Sequence, residues 1–202
     1  MRLLREHLGR IVPQMETDAE ARIAAEEIVS ELGRRLGFTT RRDAGEDVDV
    51  WSSPTGRALV VRPSAAGETI ELIRTLSRAR DRLLVQRGMP ARNLMALAVV
   101  CGSLVNWREI EESSVVRRSH DHVRIIALDA LLSLAEARAS SSLAHTDALM
   151  LLRPQSVRAD ALVEIVARVS RRDPERGRPG VDSGMDPFRR RSGLPGAAPR
   201  QG

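Results

Sequence analysis

The sequence predicts an α/β protein in which a central mixed sheet lies between helices. Three observations carry this expectation. A long amphipathic stretch precedes Gly37, two short runs between Asp43 and Pro63 flank a Pro/Gly turn, and two apolar runs of strand length, 94–101 and 123–128, follow further on. The hairpin supplies antiparallel neighbours, and strands separated by helices supply parallel ones, so both kinds of pairing are expected in one sheet.

Each element has its own warrant. Residues 2–12 read as a short amphipathic helix stopped by Pro13. A longer helix runs from about 17 to 36, capped by Thr17 or Asp18, with Ile23, Ile28, Leu32 and Leu36 on its apolar stripe and Gly37 as its stop. Leu36-Gly37-Phe38 turns the chain into a first strand, 38–42. The hairpin strands 46–51 and 57–62 enclose Ser52-Ser53-Pro54-Thr55-Gly56, where Pro and Gly supply the turn. After a turn at 64–67, a helix starts near Glu68 with Leu72, Leu76, Ala79 and Leu83 at helical spacing, and Met89-Pro90 closes the region.

The continuous apolar run LMALAVVC, 94–101, has the character of a strand covered on both faces, and VRIIAL, 123–128, of another. Between them the polar segment 106–122 reads as a loop with a short helix. Asp129 is expected to cap a helix over 130–139, serines 140–142 to break it and to start another reaching Leu152, and a last amphipathic helix to cover 156–170. The chain thus divides into an N-terminal helix (1–15), a main domain (16–140), C-terminal helices packed on it (141–170) and an Arg/Pro/Gly-rich tail (171–202) expected to be disordered. No internal repeat is visible.

Composition excludes several chemistries. All 32 basic residues are arginine, so a P-loop, a Schiff base or a lysine-dependent nuclease centre is ruled out in its usual form. The formal net charge of +5 resembles a nucleic-acid signature, but the tail alone holds eight arginines against four acids, leaving 24 bases against 23 acids in residues 1–170. A single cysteine, Cys101, and a start without an apolar signal region point to a cytoplasmic location; no run approaches membrane-spanning length.

Side chains alternate across a strand, which is expected to put Asp47, Asp49 and Trp51 on one face and Val48 and Val50 on the other. Carboxylates at i and i+2 are suited to a hard divalent cation such as Mg²⁺, which would activate water for phosphodiester cleavage. The plainer alternative is that both acids solvate the exposed face of an edge hairpin.

The stretch Asp43-Ala44-Gly45-Glu46-Asp47-Val48, followed after the turn by Arg57-Ala58-Leu59-Val60-Val61-Arg62, resembles the core of the restriction-endonuclease-like superfamily. The likeness is to its Mrr-type branch, whose pattern runs D-G-G-x-D-V, turn, V-(E/Q)-x-K. Similar order extends to Leu36-Gly37-Phe38, the strand at 94–101, and Ile125-Ile126-Ala127-Leu128-Asp129 leading into Leu131-Leu132, so the resemblance spans residues 17–140. It implies a restriction-endonuclease-like α/β sandwich with added C-terminal helices, Mg²⁺ as cofactor if the site is active, and nucleic acid, DNA first, as partner.

Carried over by position, Asp47 falls on the metal-binding aspartate, and Glu26 or Glu27 near the acid that some relatives place on the first helix. The second half of the motif departs from the family. Val60 stands at the Glu/Gln position and Arg62 at the lysine position; a register shifted by one, Val61 and Pro63, fits worse. The family's lysine positions and polarises the attacking water, a task for which the bulky, permanently charged guanidinium is a poor replacement. Asp49 is the residue placed to make up in part for the missing ligand.

Three functional readings follow. In the first, a degenerate centre binds nucleic acid through Arg41, Arg42, Arg62 and the tail arginines Arg189, Arg190 and Arg191 without cleaving it. In the second, Glu26 or Glu27 with Asp47 and Asp49 forms a working Mg²⁺-dependent endonuclease. In the third, the domain is an interaction scaffold in a larger assembly. Elsewhere, His120-Asp121-His122 reads as a solvated loop rather than a zinc site, Cys101 as an inert core thiol, and His145 as too isolated to name as its base. Trp51 and Trp107 read as packing residues before base-stacking ones. Arg34-Arg35 and Arg117-Arg118 stand between a phosphate-binding face and ordinary surface charge.

Overall fold

The structure is a computed structural model that describes residues 2–102, 107–119, 121–140, 143–153 and 163. Helix α1 (Arg2–Ile11) is followed by a 3-10 turn over Val12–Gln14, with Pro13 inside it. Helix α2 spans Ala19–Arg35. The side chain of Asp18 accepts a hydrogen bond from the Glu20 amide, so Asp18 rather than Thr17 is its cap. Gly37, at φ 92°, turns the chain out of the helix in a conformation that glycine adopts without strain.

The sheet has five strands in the order β1-β2-β3-β4-β5: Thr39–Asp43, Val48–Ser52, Ala58–Ala65, Leu94–Cys101 and Val123–Ala127. β1, β2 and β3 pair antiparallel; β3, β4 and β5 pair parallel. The expected mixed sheet is therefore present, with its antiparallel part first. Helix α3 (Thr69–Arg87) crosses from β3 to β4 and ends at Gly88, φ 57°. Two short helices, α4 (Trp107–Glu112) and α5 (Ser114–Ser119), occupy the polar segment before β5. Helices α6 (Leu128–Ala139) and α7 (His145–Leu151) complete the described chain; the expected helix at 156–170 and the tail lie outside the described residues, apart from Val163.

Two cores sandwich the sheet. On one face α1, α2, α6 and α7 cover Trp51, Leu59, Val61, Leu97 and Val99. On the other, α3, α4 and α5 cover Val48, Val50, Val60, Ala96 and Ala98. β4 lies between the cores and is buried along all eight residues, as its unbroken apolar run requires. Leu72, Leu76, Ala79 and Leu83 of α3 are buried on the expected stripe.

Several expectations are corrected. β2 begins at Val48, so Asp47 does not share a strand face with Asp49 and Trp51. It ends the four-residue connection from β1 at φ 53°, a left-handed conformation that Asp tolerates better than most residues. The edge strands of the sheet are β1 and β5, not the 43–63 hairpin; β2 is interior, and Asp49 is only 7% exposed rather than solvating an outer face. β3 continues through Pro63 to Ala65 instead of turning at 64. Pro63 falls where β2 has already ended, at Asp49↔Val61, so that stretch of β3 is an edge, the sheet position that accepts proline. Ile23 is 56% exposed: the buried stripe of α2 runs instead through Ala21, Ala25, Ile28, Val29, Leu32 and Gly33. The N-cap of α6 is Ala127, and Asp129 lies in its first turn without capping it.

Small residues on α2 let the helix approach the sheet closely. A Cβ at Gly33 would stand 2.6 Å from Cε2 of Trp51 and 2.9 Å from Cγ2 of Thr40, so the indole occupies the space a side chain would take. Trp51 is fully buried and tilted against Phe38, with ring centroids 5.6 Å apart. This settles Trp51 as a packing residue. Trp107 opens α4, and its side chain lies outside the described residues.

Candidate functional site

The site forms where β2 ends and β3 runs on. Cross-strand pairing aligns Arg42 of β1, Asp49 of β2 and Val61 of β3 in one row, on the face that α2 covers. α2 brings Glu26 over this row, and the β1–β2 turn brings Asp47 to its end. Arg62 reaches the same place from β3, past the last β2 pair.

The charges interlock. Nη2 of Arg42 donates to Oδ1 of Asp47 and lies 2.9 Å from Oε2 of Glu26, while its Nη1 is 3.6 Å from Oδ1 of Asp49. Nη2 of Arg62 lies 3.0 Å from Oδ2 of Asp47, and its Nε 3.8 Å from Oε1 of Glu26. Glu26 and Asp47 thus each bridge both guanidinium groups and close a ring, with Asp49 beside it. Partial burial works against the charge of Arg42, but Glu26 and Asp47 outweigh it and hold its pKa above the ordinary arginine value.

The chemistry of this ring is that of a neutralised acid cluster. Three carboxylates converge, as a divalent-metal site would require, yet two guanidinium groups stand among them. Among the described residues no group of three or more His, Cys, Asp or Glu side chains is arranged to hold a metal ion. Arg42 and Arg62 are 36% and 31% exposed, so their outer edges meet solvent and are open to a phosphate.

The structure separates the other candidates. Glu27 is exposed and takes no part in the ring's ion pairs. Arg41 alternates with Arg42 and so faces the α3 side of the sheet, away from the ring. On that side Asp43 pairs with Arg87 and Glu46 with Arg82, at 3.3 and 3.1 Å. Arg34 and Arg35 both pair with Glu31, and these contacts lower the Glu31 pKa. Arg189, Arg190, Arg191 and His120 lie outside the described residues. His122 contacts Asp121 and, through Nε2, Ser77 at 3.3 Å.

Cys101 is 2% exposed at the end of β4, and burial, with a smaller contribution from Asp129, pushes its thiol up to about 12. At neutral pH it is a protonated core group, in keeping with the expectation of an inert thiol. His145 has a role that its isolation in sequence concealed. Its Nδ1 donates to the Leu36 carbonyl at 2.8 Å, its Nε2 lies 2.8 Å from Oγ of Ser53, and its ring meets Phe38 edge-on. It pins α7 to the end of α2 and to the β2–β3 turn, two segments that no sequence spacing links to it.

No family model and no curated protein matches the chain. Among solved structures it is similar to the restriction endonuclease FokI, with 13% identity and a TM-score of 0.49, over 69% of this chain and 29% of that one. The chain spans less than a third of the FokI chain's length.

Proposed function

We propose that this chain is a nucleic-acid-associated protein on a restriction-endonuclease-like fold, of the Mrr-like kind, whose catalytic centre has become a binding site. The observation that carries this reading is the ring of Glu26, Arg42, Asp47 and Arg62, in which guanidinium groups stand among the carboxylates a metal would need. The register supports it further. The carboxylate within the strand is Asp49, whose partner on β3 is Val61, with Pro63 two residues on. Position for position, the acid and the amine of the family pattern are then a valine and a proline. With Asp47 as the family aspartate they are Val60 and Arg62; neither alignment supplies a second strand acid or a lysine.

In this reading Arg42 and Arg62 exchange carboxylate partners for phosphate oxygens when nucleic acid arrives, and the acids limit affinity by competing for them. The half-exposed position of both arginines keeps that exchange within reach, since neither charge must cross a dry interior. Should Mg²⁺ enter, Asp49 with Glu26 or Asp47 would be its ligands, and it would supply a polarised water; the arginines must first leave.

The test is binding of duplex and single-stranded DNA by the full chain at low and rising salt, alongside a plasmid-cleavage assay with Mg²⁺ or Mn²⁺. Binding that falls steeply with salt, weakens in Arg42→Ala and Arg62→Ala, and proceeds without cleavage supports the proposal. Cleavage abolished by Asp49→Ala or Asp47→Ala would show a working endonuclease instead. Absence of binding at low salt, with a protein partner in stoichiometric complex, would favour the scaffold reading.

A further inference from the structure

Beside the ring, a cleft of about 290 Å³ opens along the free edge of β3, between α2 and the start of α3. Its floor is apolar: Met15 and Leu72 line it and are 1% and 5% exposed. Its rim carries the carboxylates of Glu26, Glu68 and Glu71. In the floor, Ser64 is only 6% exposed, and its Oγ has no hydrogen-bond partner among the described residues. A buried hydroxyl left unpaired carries a desolvation cost, which a ligand that reaches it recovers. Nothing in the packing of the two cores accounts for that hydroxyl, and the residue that carries it lines the cleft.

The charges decide the class of ligand. Two arginines also line the cleft, but Arg62 is engaged by Asp47 and Glu26, and Arg22 spends its Nε and Nη2 on the carbonyls of Met15 and Glu16. Glu71 contacts Arg74 at the exposed surface, and Glu68 makes no ion pair among the described residues. The lining has three carboxylates against two guanidinium groups, one of which is bonded to backbone carbonyls, so the carboxylates of Glu68 and Glu71 favour a cation at their end of the cleft. No metal-holding group of acids exists among the described residues. What remains is an organic cation whose methylenes cover Met15 and Leu72 while its charged end meets carboxylates.

We infer that the β3-edge cleft binds a short alkylammonium ligand, of the diamine or polyamine class, with an ammonium at Glu68 and Glu71 and a donor N–H directed at Ser64. The inference goes beyond the nucleic-acid reading: the two sites share Glu26 and Arg62, but the ammonium is held by Glu68 and Glu71, which lie outside the ring, so loss of one activity is distinguishable from loss of the other. The experiment is calorimetric titration of the full chain, without nucleic acid, with 1,4-diaminobutane and spermidine, using 1,4-butanediol as the uncharged counterpart. Saturable binding of an amine, lost in Glu68→Gln combined with Glu71→Gln and weakened about tenfold or more in Ser64→Ala, is the expected result. Circular dichroism establishes that each variant is folded, and Glu112→Gln, on the surface of α4, serves as a surface-carboxylate control that retains binding. No saturable amine binding by the unsubstituted chain overturns the inference. So does equal binding of butanediol, or equal loss in the Glu112→Gln control.

Discussion

Asp49 stands directly across the β2–β3 ladder from Val61. A buried carboxylate thus faces a buried aliphatic side chain at the place where a metal site would need a second acid, and Arg42 is the cation that stands beside it on the neighbouring strand. The unsubstituted chain is therefore expected to bind Mn²⁺ weakly. Replacing Arg42 with Ala while changing Val61→Glu removes the internal competitor and adds the missing ligand; affinity should rise by about tenfold or more, ~1.4 kcal/mol, in a metal titration. Unchanged affinity would mean that the acids do not converge as described.

If Arg62 holds a phosphate, Arg62→Ala should lower DNA affinity and reduce the slope of log K against log salt by about one unit. Arg41→Ala, on the opposite face of the sheet, should change both far less. Salt-series fluorescence anisotropy with one short duplex distinguishes the two.

Gly33 is packed onto Trp51 without room for a methyl group. Gly33→Ala should destabilise the fold by about 1–3 kcal/mol despite alanine's better helix propensity. Gly9 in α1 has nothing within 4 Å of its Cβ position, so Gly9→Ala should stabilise by about 0.5–1 kcal/mol. Urea unfolding of the pair reads the opposite signs directly.

The Cys101 thiol is held protonated to about 12 in the folded chain, against an ordinary value of 9.0. The folded state thus keeps a proton that the unfolded state gives up. This contribution to stability is full below pH 9.0 and is lost as pH rises toward about 12. Native protein should react slowly with iodoacetamide at pH 8 and rapidly once unfolded, and Cys101→Ala should flatten part of the alkaline decline in melting temperature.

His145→Ala removes the bonds to Leu36 and Ser53 together. Amide exchange over α7 should accelerate well before that of β4, because α7 loses its pin while the sheet keeps its pairings. Uniform acceleration across the chain would instead mark His145 as part of the global fold.

The fold was legible wherever one pattern ran unbroken. The apolar run at 94–101 became β4 with the expected bounds, and the spacing of Leu72, Leu76 and Leu83 placed α3 correctly. It was less legible where small residues do the packing. Ile23 looked like core but is exposed, while Ala21, Ala25 and Gly33 form the actual contact face, since close approach to Trp51 rewards size rather than hydrophobicity. Strand alternation continued backward past Val48 would place Asp47 on the strand; the left-handed turn there breaks the period. The acids and arginines of the site were visible as candidates, but their pairing was not. Glu26, Arg42, Asp47 and Arg62 meet only through the register of three strands and the placement of α2. Ser64 and Glu68 gave no signal at all, because a serine in a strand and a glutamate before a helix are ordinary until the end of β2 exposes the edge beside them.

β4 has both neighbours in the sheet and a dry core on each side of it. Its backbone amides have no local route to water, so deuterium can enter them only when the whole molecule opens. The exchange rates of residues 95–100 consequently serve as an internal gauge of global stability, against which every local perturbation at the ring, the cleft or α7 can be scaled within a single measurement.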